Sequence, residues 1–331
     1  MTEGQVPIKK IGLVAIGRNE GNRLRQCLQS VVDLAWKVVY VDSGSTDGSV
    51  AMARELGVEV VELDLAIPFT AARARNEGFR YLRKIAPELH YVQFVDGDCV
   101  VIPNWLASAV HFLDQHHDAA VVCGRRRERF PDHSIFNLLC DIEWDTPVGE
   151  AKSCGGDALM RVDAFEQVGQ YRNNLIAGEE PELCLRLRAS GWKIWRLDVE
   201  MTLHDAAILR WEQWWQRTRR SGYAYAEGAH LHGAPPTRYW VKESRRIWLW
   251  GLGIPFVVIC LSNWLGLWYM TVLLIYPVQI IRLVFRGTRS FRENVWHAFF
   301  LVIGKFPEAI GQLDFVINRL TGNRPRLIEY K

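Results

Sequence analysis

Four short apolar runs in the first hundred residues each end in small, polar or acidic residues, and helix-period segments separate them. Ile11-Gly12-Leu13-Val14-Ala15-Ile16 leads into Gly17-Arg18-Asn19-Glu20-Gly21, and Trp36-Lys37-Val38-Val39-Tyr40-Val41 leads into Asp42-Ser43-Gly44-Ser45-Thr46-Asp47-Gly48. Val58-Glu59-Val60-Val61-Glu62-Leu63 is the third run. The fourth, Tyr91-Val92-Gln93-Phe94-Val95, ends in Asp96-Gly97-Asp98-Cys99. Leu24, Cys27, Leu28 and Val31 recur every three or four residues, as a helix laid on a sheet requires. Small and capping residues open a second helix over residues 49–56. Strands alternating with helices predict an α/β fold with a mostly parallel sheet. Glu20, Asp42 and the Asp96/Asp98 pair then share one rim, at the C-terminal strand ends where open α/β sheets bind ligands.

The acidic rim narrows the chemistry. Two carboxylates one glycine apart are hard oxygen donors suited to Mg²⁺ or Mn²⁺, whose shell is completed by water and substrate phosphates. An isolated Asp-Gly-Asp would more simply be a turn, but here it shares the rim with other acids. No Gly-x-Gly-x-x-Gly follows the first strand and no Gly-x-x-x-x-Gly-Lys-Ser/Thr occurs, which leaves a dinucleotide site and a P-loop unsupported. Phosphates would be held through a metal and basic side chains, for which Arg73 and Arg75 are candidates.

The ordered set Asn19-Glu20-Gly21, Val41-Asp42-Ser43-Gly44-Ser45-Thr46-Asp47-Gly48, Ala74-Arg75-Asn76-Glu77-Gly78 and Asp96-Gly97-Asp98 resembles the family 2 glycosyltransferases of GT-A (Rossmann-like) fold. A later block, Gly155-Gly156-Asp157-Ala158-Leu159-Met160 and Gly178-Glu179-Glu180-Pro181-Glu182-Leu183, extends the likeness over about residues 10–205. The resemblance implies that Asp42 bonds the nucleobase, Arg75 lies over base or phosphates, Asp96 meets ribose or metal, and Asp98 is the principal cation ligand. It implies a nucleotide-diphosphate sugar donor, UDP- or GDP-linked, and an acidic catalytic base. That role is carried to Glu180, with Glu179 and Glu182 as alternatives. One base opposite the leaving group suits a single in-line displacement with inversion. Glu20 joins the donor-binding set. Gly155-Gly156 allows close backbone approach to a sugar or phosphate, or is a plain loop turn; Asp157 would touch donor sugar or acceptor. His204 occupies a place where some relatives carry a metal- or diphosphate-binding histidine.

Trp211, Trp214 and Trp215 share a helical face, with Arg217 and Arg220 near its end. Either arginine could close over the diphosphate, or the segment could be an interfacial helix. Gln213-Trp214-Trp215-Gln216-Arg217 departs from the Gln-x-x-Arg-Trp of processive synthases, which favours transfer of one sugar at a time.

Between Arg246 and Arg282 no residue carries a formal charge. As one helix this stretch would reach about 52 Å, too long for one comfortable crossing of a bilayer core of about 30 Å. Ser262-Asn263 reads as a break between Ile247–Leu261 and Leu265–Ile281, each short for a full span. Lys242, Arg245 and Arg246 precede the stretch and Arg282, Arg286, Arg289 and Arg292 follow it, so a hairpin with both flanks cytoplasmic is expected. A buried soluble helix pair is the competing reading. Phe299, Ile303, Phe306, Ile310 and Leu313 predict an amphipathic helix over residues 295–320, lying on the bilayer surface. The expected division is residues 1–240, catalytic, and 241–331, a membrane-associated helical region.

Net charge is +3, and no nucleic-acid-binding motif occurs. Seven cysteines without a Cys-x-x-Cys pair point to reduced thiols, and the polar segment Met1–Lys10 lacks a signal-peptide core. The expected activity is that of a bacterial polysaccharide- or glycolipid-type glycosyltransferase. It would act at the cytoplasmic face of the cell membrane on a membrane lipid or lipid-linked glycan acceptor. A polyprenyl-phosphate acceptor and a nucleotidyltransferase are the alternatives.

Overall fold

The computed structural model describes residues 8–322, so the first seven residues of the polar N-terminal segment lie outside the described residues. Nine strands form one mixed sheet: β1 (Ile8–Gly17), β2 (Ala35–Asp42), β3 (Glu59–Glu62), β4 (Tyr91–Asp96), β5 (Cys99–Val101), β6 (Ala119–Glu128), β7 (Gly149–Ala151), β8 (Ala158–Arg161) and β9 (Lys193–His204). The order is β3-β2-β1-β4-β8-β6-β9-β5, with β7 paired to β9. The first four strands in that order run parallel, as the alternation predicts; β8 then pairs antiparallel to both β4 and β6.

Register places the rim. Ile16 lies opposite Asp96 and Gly17 opposite Asp42, so the ends of β1, β2 and β4 are level. Their interiors are apolar and fully buried, as in Leu13, Val14, Val39, Val92 and Phe94. Helices Asn22–Gln29 and Ala71–Ile85 cover the sheet with Leu24, Cys27 and Leu28 and with Phe79 and Leu82. Thr70 caps the second of these by accepting from Arg73 N–H at 3.0 Å. Gly78 lets that helix approach: a β-carbon there would sit 2.4 Å from Val14 Cγ1.

The chain divides into two compact units, and the sheet forms the core of the first. The second takes in residues 132–142, 176–178 and 208 onward. Within it, helix Trp211–His232 packs on helix Lys305–Thr321 through small residues, for a β-carbon at Gly222 would meet Glu308 O at 2.0 Å and one at Gly311 would meet Arg219 O at 1.9 Å. Arg219 also makes a two-pronged pair with Asp314, at 2.6 and 2.9 Å. Trp214 is buried against Phe136 and Phe300, its ring 4.7 Å from the latter. For Trp214 this is internal packing, whereas Trp211 on the same face stays 41 % exposed. The predicted single tail helix is two helices, Phe291–Ile303 and Lys305–Thr321, parted at Gly304, and the second lies on helix Trp211–His232.

The uncharged stretch forms a hairpin, but its break falls at Gly266 (φ 118°) and not at Ser262-Asn263. Glycine takes that positive φ without steric cost. Continuous helical segments of 25 and 20 residues result, Val241–Leu265 and Leu267–Arg286, long and apolar enough to cross a membrane. The expected halves were shorter because charged flanks were excluded. Tyr276 Oη donates to Trp250 O at 2.5 Å across the pair. The hairpin is not a buried soluble core: Trp264 is 89 % exposed and Phe285 79 %.

Candidate active site

Every rim residue lies in the first unit, and the carboxylates at the end of β4 fall into two environments. Asp96 is gripped from both sides: Oδ1 accepts from Arg75 Nη2 at 2.7 Å and Oδ2 from Arg126 Nη2 at 3.1 Å. Burial alone would raise its pKa, but the two guanidiniums outweigh that and hold it below the usual carboxylate range. Arg75 also donates to Glu179 Oε1 at 2.7 Å. Its side chain is 3 % exposed, so it is a buried bridge between β4 and the helix Glu179–Ala189 and not an open phosphate clamp. Asp96 is therefore held by two arginines, and with Cys99 and Asp157 it forms a second group whose ligand atoms lie within 4.8 Å of one another.

Asp98, two residues on, lies in the loop after β4 and is the more buried of the two, its side chain 6 % exposed against 27 % for Asp96. Its Oδ1 lies 3.1 Å from His204 Nε2, and both side chains are nearly buried. His204 ends β9, opposite Cys99 of β5, so sheet pairing delivers the imidazole to the loop that carries Asp98. Trp144 packs edge-on against the imidazole at 4.7 Å. Asp98, Cys99 and His204 offer ligand atoms within 4.8 Å of one another. Burial, with Asp157 adding to it, pushes the Cys99 thiol well up, which keeps it protonated and a poor ligand. One carboxylate oxygen and one imidazole nitrogen fit Mn²⁺ or Mg²⁺, with Mn²⁺ the better match to nitrogen.

Asp157 is fully buried and does not present itself to a sugar. Its Oδ1 accepts from Asp96 N–H at 3.1 Å and its Oδ2 from Thr202 Oγ1 at 2.8 Å. Gly155-Gly156 also serves the protein interior, since a β-carbon at Gly156 would lie 2.6 Å from Arg75 Nη2. Arg73 spends Nη1 on the carbonyls of Asp64 and Ile67, at 3.1 and 2.8 Å. Asp42 is 2 % exposed and shapes its own loop, accepting from Tyr40 Oη and from the amides of Gly44 and Ser45, each at 2.8 Å. Glu20 pairs with Arg23 at 2.7 Å beside Gly97. Arg217 and Arg220 belong to the second unit, where Arg220 Nε donates to Ile176 O at 3.0 Å.

The three glutamates separate cleanly. Glu182 is buried and paired with Arg172 at 2.7 Å and Arg186 at 2.8 Å. Glu179 holds Arg75. Glu180 is partly exposed, and its carboxyl is pushed well above the ordinary range by burial, then by Cys184 and Glu179, against the opposing pull of Arg75 and Arg126. It thus belongs electrostatically to the Asp96 cluster. Arg126 was missed from sequence. It sits in a run of three arginines on β6, stacks over Trp144 at 4.8 Å, and joins Asp96 to Asp157 through long-range contacts with no local signature.

Residues 14–169 match the family model described as glycosyl transferase family 2. The chain is 24 % identical over 189 residues to glycosyltransferase AglE of Haloferax volcanii, covering 53 % of this chain and 60 % of that protein. It is 26 % identical over 196 residues to succinoglycan biosynthesis protein ExoA of Rhizobium meliloti, covering 54 % and 58 %. It therefore spans about three-fifths of the length of these relatives. Among solved structures it is similar to the mannosyltransferase PcManGT from Pyrobaculum calidifontis in complex with GDP-Man and Mn²⁺, with a TM-score of 0.62 at 16 % identity over 92 % of this chain and 87 % of that one. S. aureus TarS 1–349 gives 0.50 at 14 %, over 90 % and 91 %. At these identities the likeness establishes the fold, which is GT-A.

Proposed function

The chain carries a family 2 glycosyltransferase domain of GT-A fold, and from that premise we propose that it moves one sugar at a time, with inversion, from a nucleotide-diphosphate sugar to an acceptor at the membrane. The observation that carries this reading is the Asp98–His204 donor pair, together with Glu180, a carboxyl that burial raises above the ordinary glutamate range beside Arg75 and Arg126. PcManGT, a neighbour in fold, was solved with GDP-Man and Mn²⁺, which favours a UDP- or GDP-sugar and a divalent ion here.

In this reading Asp98 and His204 hold the cation. Once bound, it would neutralise the charge gathering on the leaving diphosphate. Arg75 and Arg126 fix Asp96 toward the donor ribose, and Asp157 fixes the Asp96 backbone beneath it. Asp42 orders the Ser43–Gly48 loop that receives the nucleobase, and Glu20 borders it. Glu180 takes the proton of the acceptor hydroxyl as that oxygen attacks the anomeric carbon. A base is superfluous for a phosphate acceptor, so Glu180 favours a hydroxyl over a polyprenyl phosphate.

Residues 241–286 would anchor the enzyme. Their apolar faces are exposed, and by the positive-inside rule the basic flanks favour both ends at the cytoplasmic leaflet. The acceptor would then be a lipid-linked oligosaccharide, glycolipid or growing exopolysaccharide; ExoA, by name a succinoglycan biosynthesis protein, favours the last.

A Glu180→Gln variant assayed against a panel of nucleotide sugars with Mn²⁺ should retain donor binding and lose transfer by about 10²- to 10⁴-fold. Unchanged transfer would overturn the assignment. Release of pyrophosphate in place of a nucleoside diphosphate would identify a nucleotidyltransferase instead.

A further inference from the structure

Two thiols meet beside the proposed base. Cys154 directly precedes Gly155-Gly156, and Cys184 lies one helical turn after Glu180 on helix Glu179–Ala189. Their sulfurs are 3.6 Å apart. Cys27, Cys99 and Cys123 each direct their sulfur at an oxygen instead: Asp96 O, Asp98 Oδ1 and Trp195 O. A disulfide requires about 2.05 Å, so closing the pair needs a movement of about 1.6 Å, which rotamer change and a small loop shift supply. Both are buried, Cys154 at 8 % exposure and Cys184 at 0 %.

We propose that Cys154 and Cys184 form a reversible disulfide that ties the Gly155-Gly156 loop to the Glu180 helix and halts turnover. The bond is predicted from the sulfurs alone; its effect on turnover rests on the reading of Glu180 as base. A peroxide is the oxidant class. Cys154, the less enclosed of the two thiols, gives an electron pair to one peroxide oxygen, becomes a sulfenic acid and releases the first water. Cys184 attacks that sulfur, its proton leaves with the departing hydroxide as the second water, and the S–S bond forms. Two thiols lose two electrons and two protons, and one hydrogen peroxide becomes two waters. Cys184 suits the second step, because its sulfur already lies 3.6 Å from that of Cys154.

The consequence follows from position. Gly156 lies against Arg75 and Asp96, and Arg75 reaches Glu179 at the start of the same helix. Drawing Cys154 toward Cys184 therefore shifts both walls around Glu180. Loss of orientation by about 1 Å costs on the order of 10²-fold in rate.

The test uses the full chain, reduced and then treated with hydrogen peroxide. Alkylation and peptide mapping should find Cys154 linked to Cys184, with an intact mass lower by about 2 Da and a higher melting temperature, since cross-links constrain the unfolded chain. Sugar transfer should fall by roughly 10²-fold, return with dithiothreitol, and resist peroxide in Cys154→Ser and Cys184→Ser. Absence of the linked peptide overturns the bond whether or not the protein transfers sugar. A linked peptide with unchanged transfer overturns the brake. Equal peroxide sensitivity in the two serine variants assigns the loss elsewhere and overturns it too.

Discussion

Asp96 and Asp98 leave the same strand two residues apart and meet opposite surroundings. Asp96 enters a cluster of three carboxylates and two guanidiniums with Arg75, Arg126, Glu179 and buried Asp157. Asp98 meets the imidazole nitrogen of His204. In the first, both carboxylate oxygens accept from guanidiniums; the second pairs a carboxylate with an imidazole, donors of the kind a divalent cation takes. Chemistry at a strand end is thus set by which strands return beside it. Here β8 brings Asp157 behind Asp96, and β9 brings His204 to Asp98.

Replacing each acid in turn should separate the two roles. Asp98→Ala should lower transfer by about 10³-fold or more, because the lost group is a cation ligand, and should cost only about 1 kcal/mol of stability for the His204 contact. Asp96→Ala should instead unfold the protein more readily, by on the order of 3 kcal/mol, since it strands two arginines in a buried site. Equal thermal losses for the two variants would erase the distinction.

The pH dependence of transfer sharpens it further. Glu180 must be ionised to act, and its pKa is raised in the folded protein. Rate should therefore climb with pH on a limb well above the ordinary glutamate range, and that limb should vanish in Glu180→Gln. A limb near 4.5 would remove Glu180 from the role.

A smaller effect comes from the second unit, where burial pushes Glu227 up to about 7. Its raised folded pKa costs stability as pH rises from the unfolded value through 7, after which the cost is constant. Glu227→Gln should therefore raise the melting temperature at pH 8, by an amount worth up to about 3 kcal/mol, and change little at pH 4. The opposite ordering would contradict it. Least affected should be Phe256→Ala, which removes an exposed hairpin ring and should shift stability in detergent by under about 0.5 kcal/mol.

The parallel half of the fold was legible because its signal is local. Apolar runs at residues 11–16, 36–41 and 91–95 became β1, β2 and β4 with edges moved by at most three residues. Register then made the shared rim visible as carboxylates at strand ends. The antiparallel half was not legible, because β5, β7 and β8 are three or four residues long and depend on partners far along the chain. Asp157, which the resemblance put at the sugar, and Arg126, which drew no reading from sequence, both hold Asp96, across 61 and 30 positions. In the hairpin, composition located the helices, but Gly266 with its positive φ set the turn, where the polar Ser262-Asn263 pair had pointed four residues early.

Titration of Mn²⁺ into the metal-stripped protein, followed by electron paramagnetic resonance with and without a nucleoside diphosphate, tests the cation site most directly. Wild type and Asp96→Asn should both bind the ion, Asp98→Ala and His204→Ala should bind it far more weakly, and GDP or UDP should tighten it in the first two. Undiminished Mn²⁺ binding in Asp98→Ala would place the cation elsewhere and contradict the account.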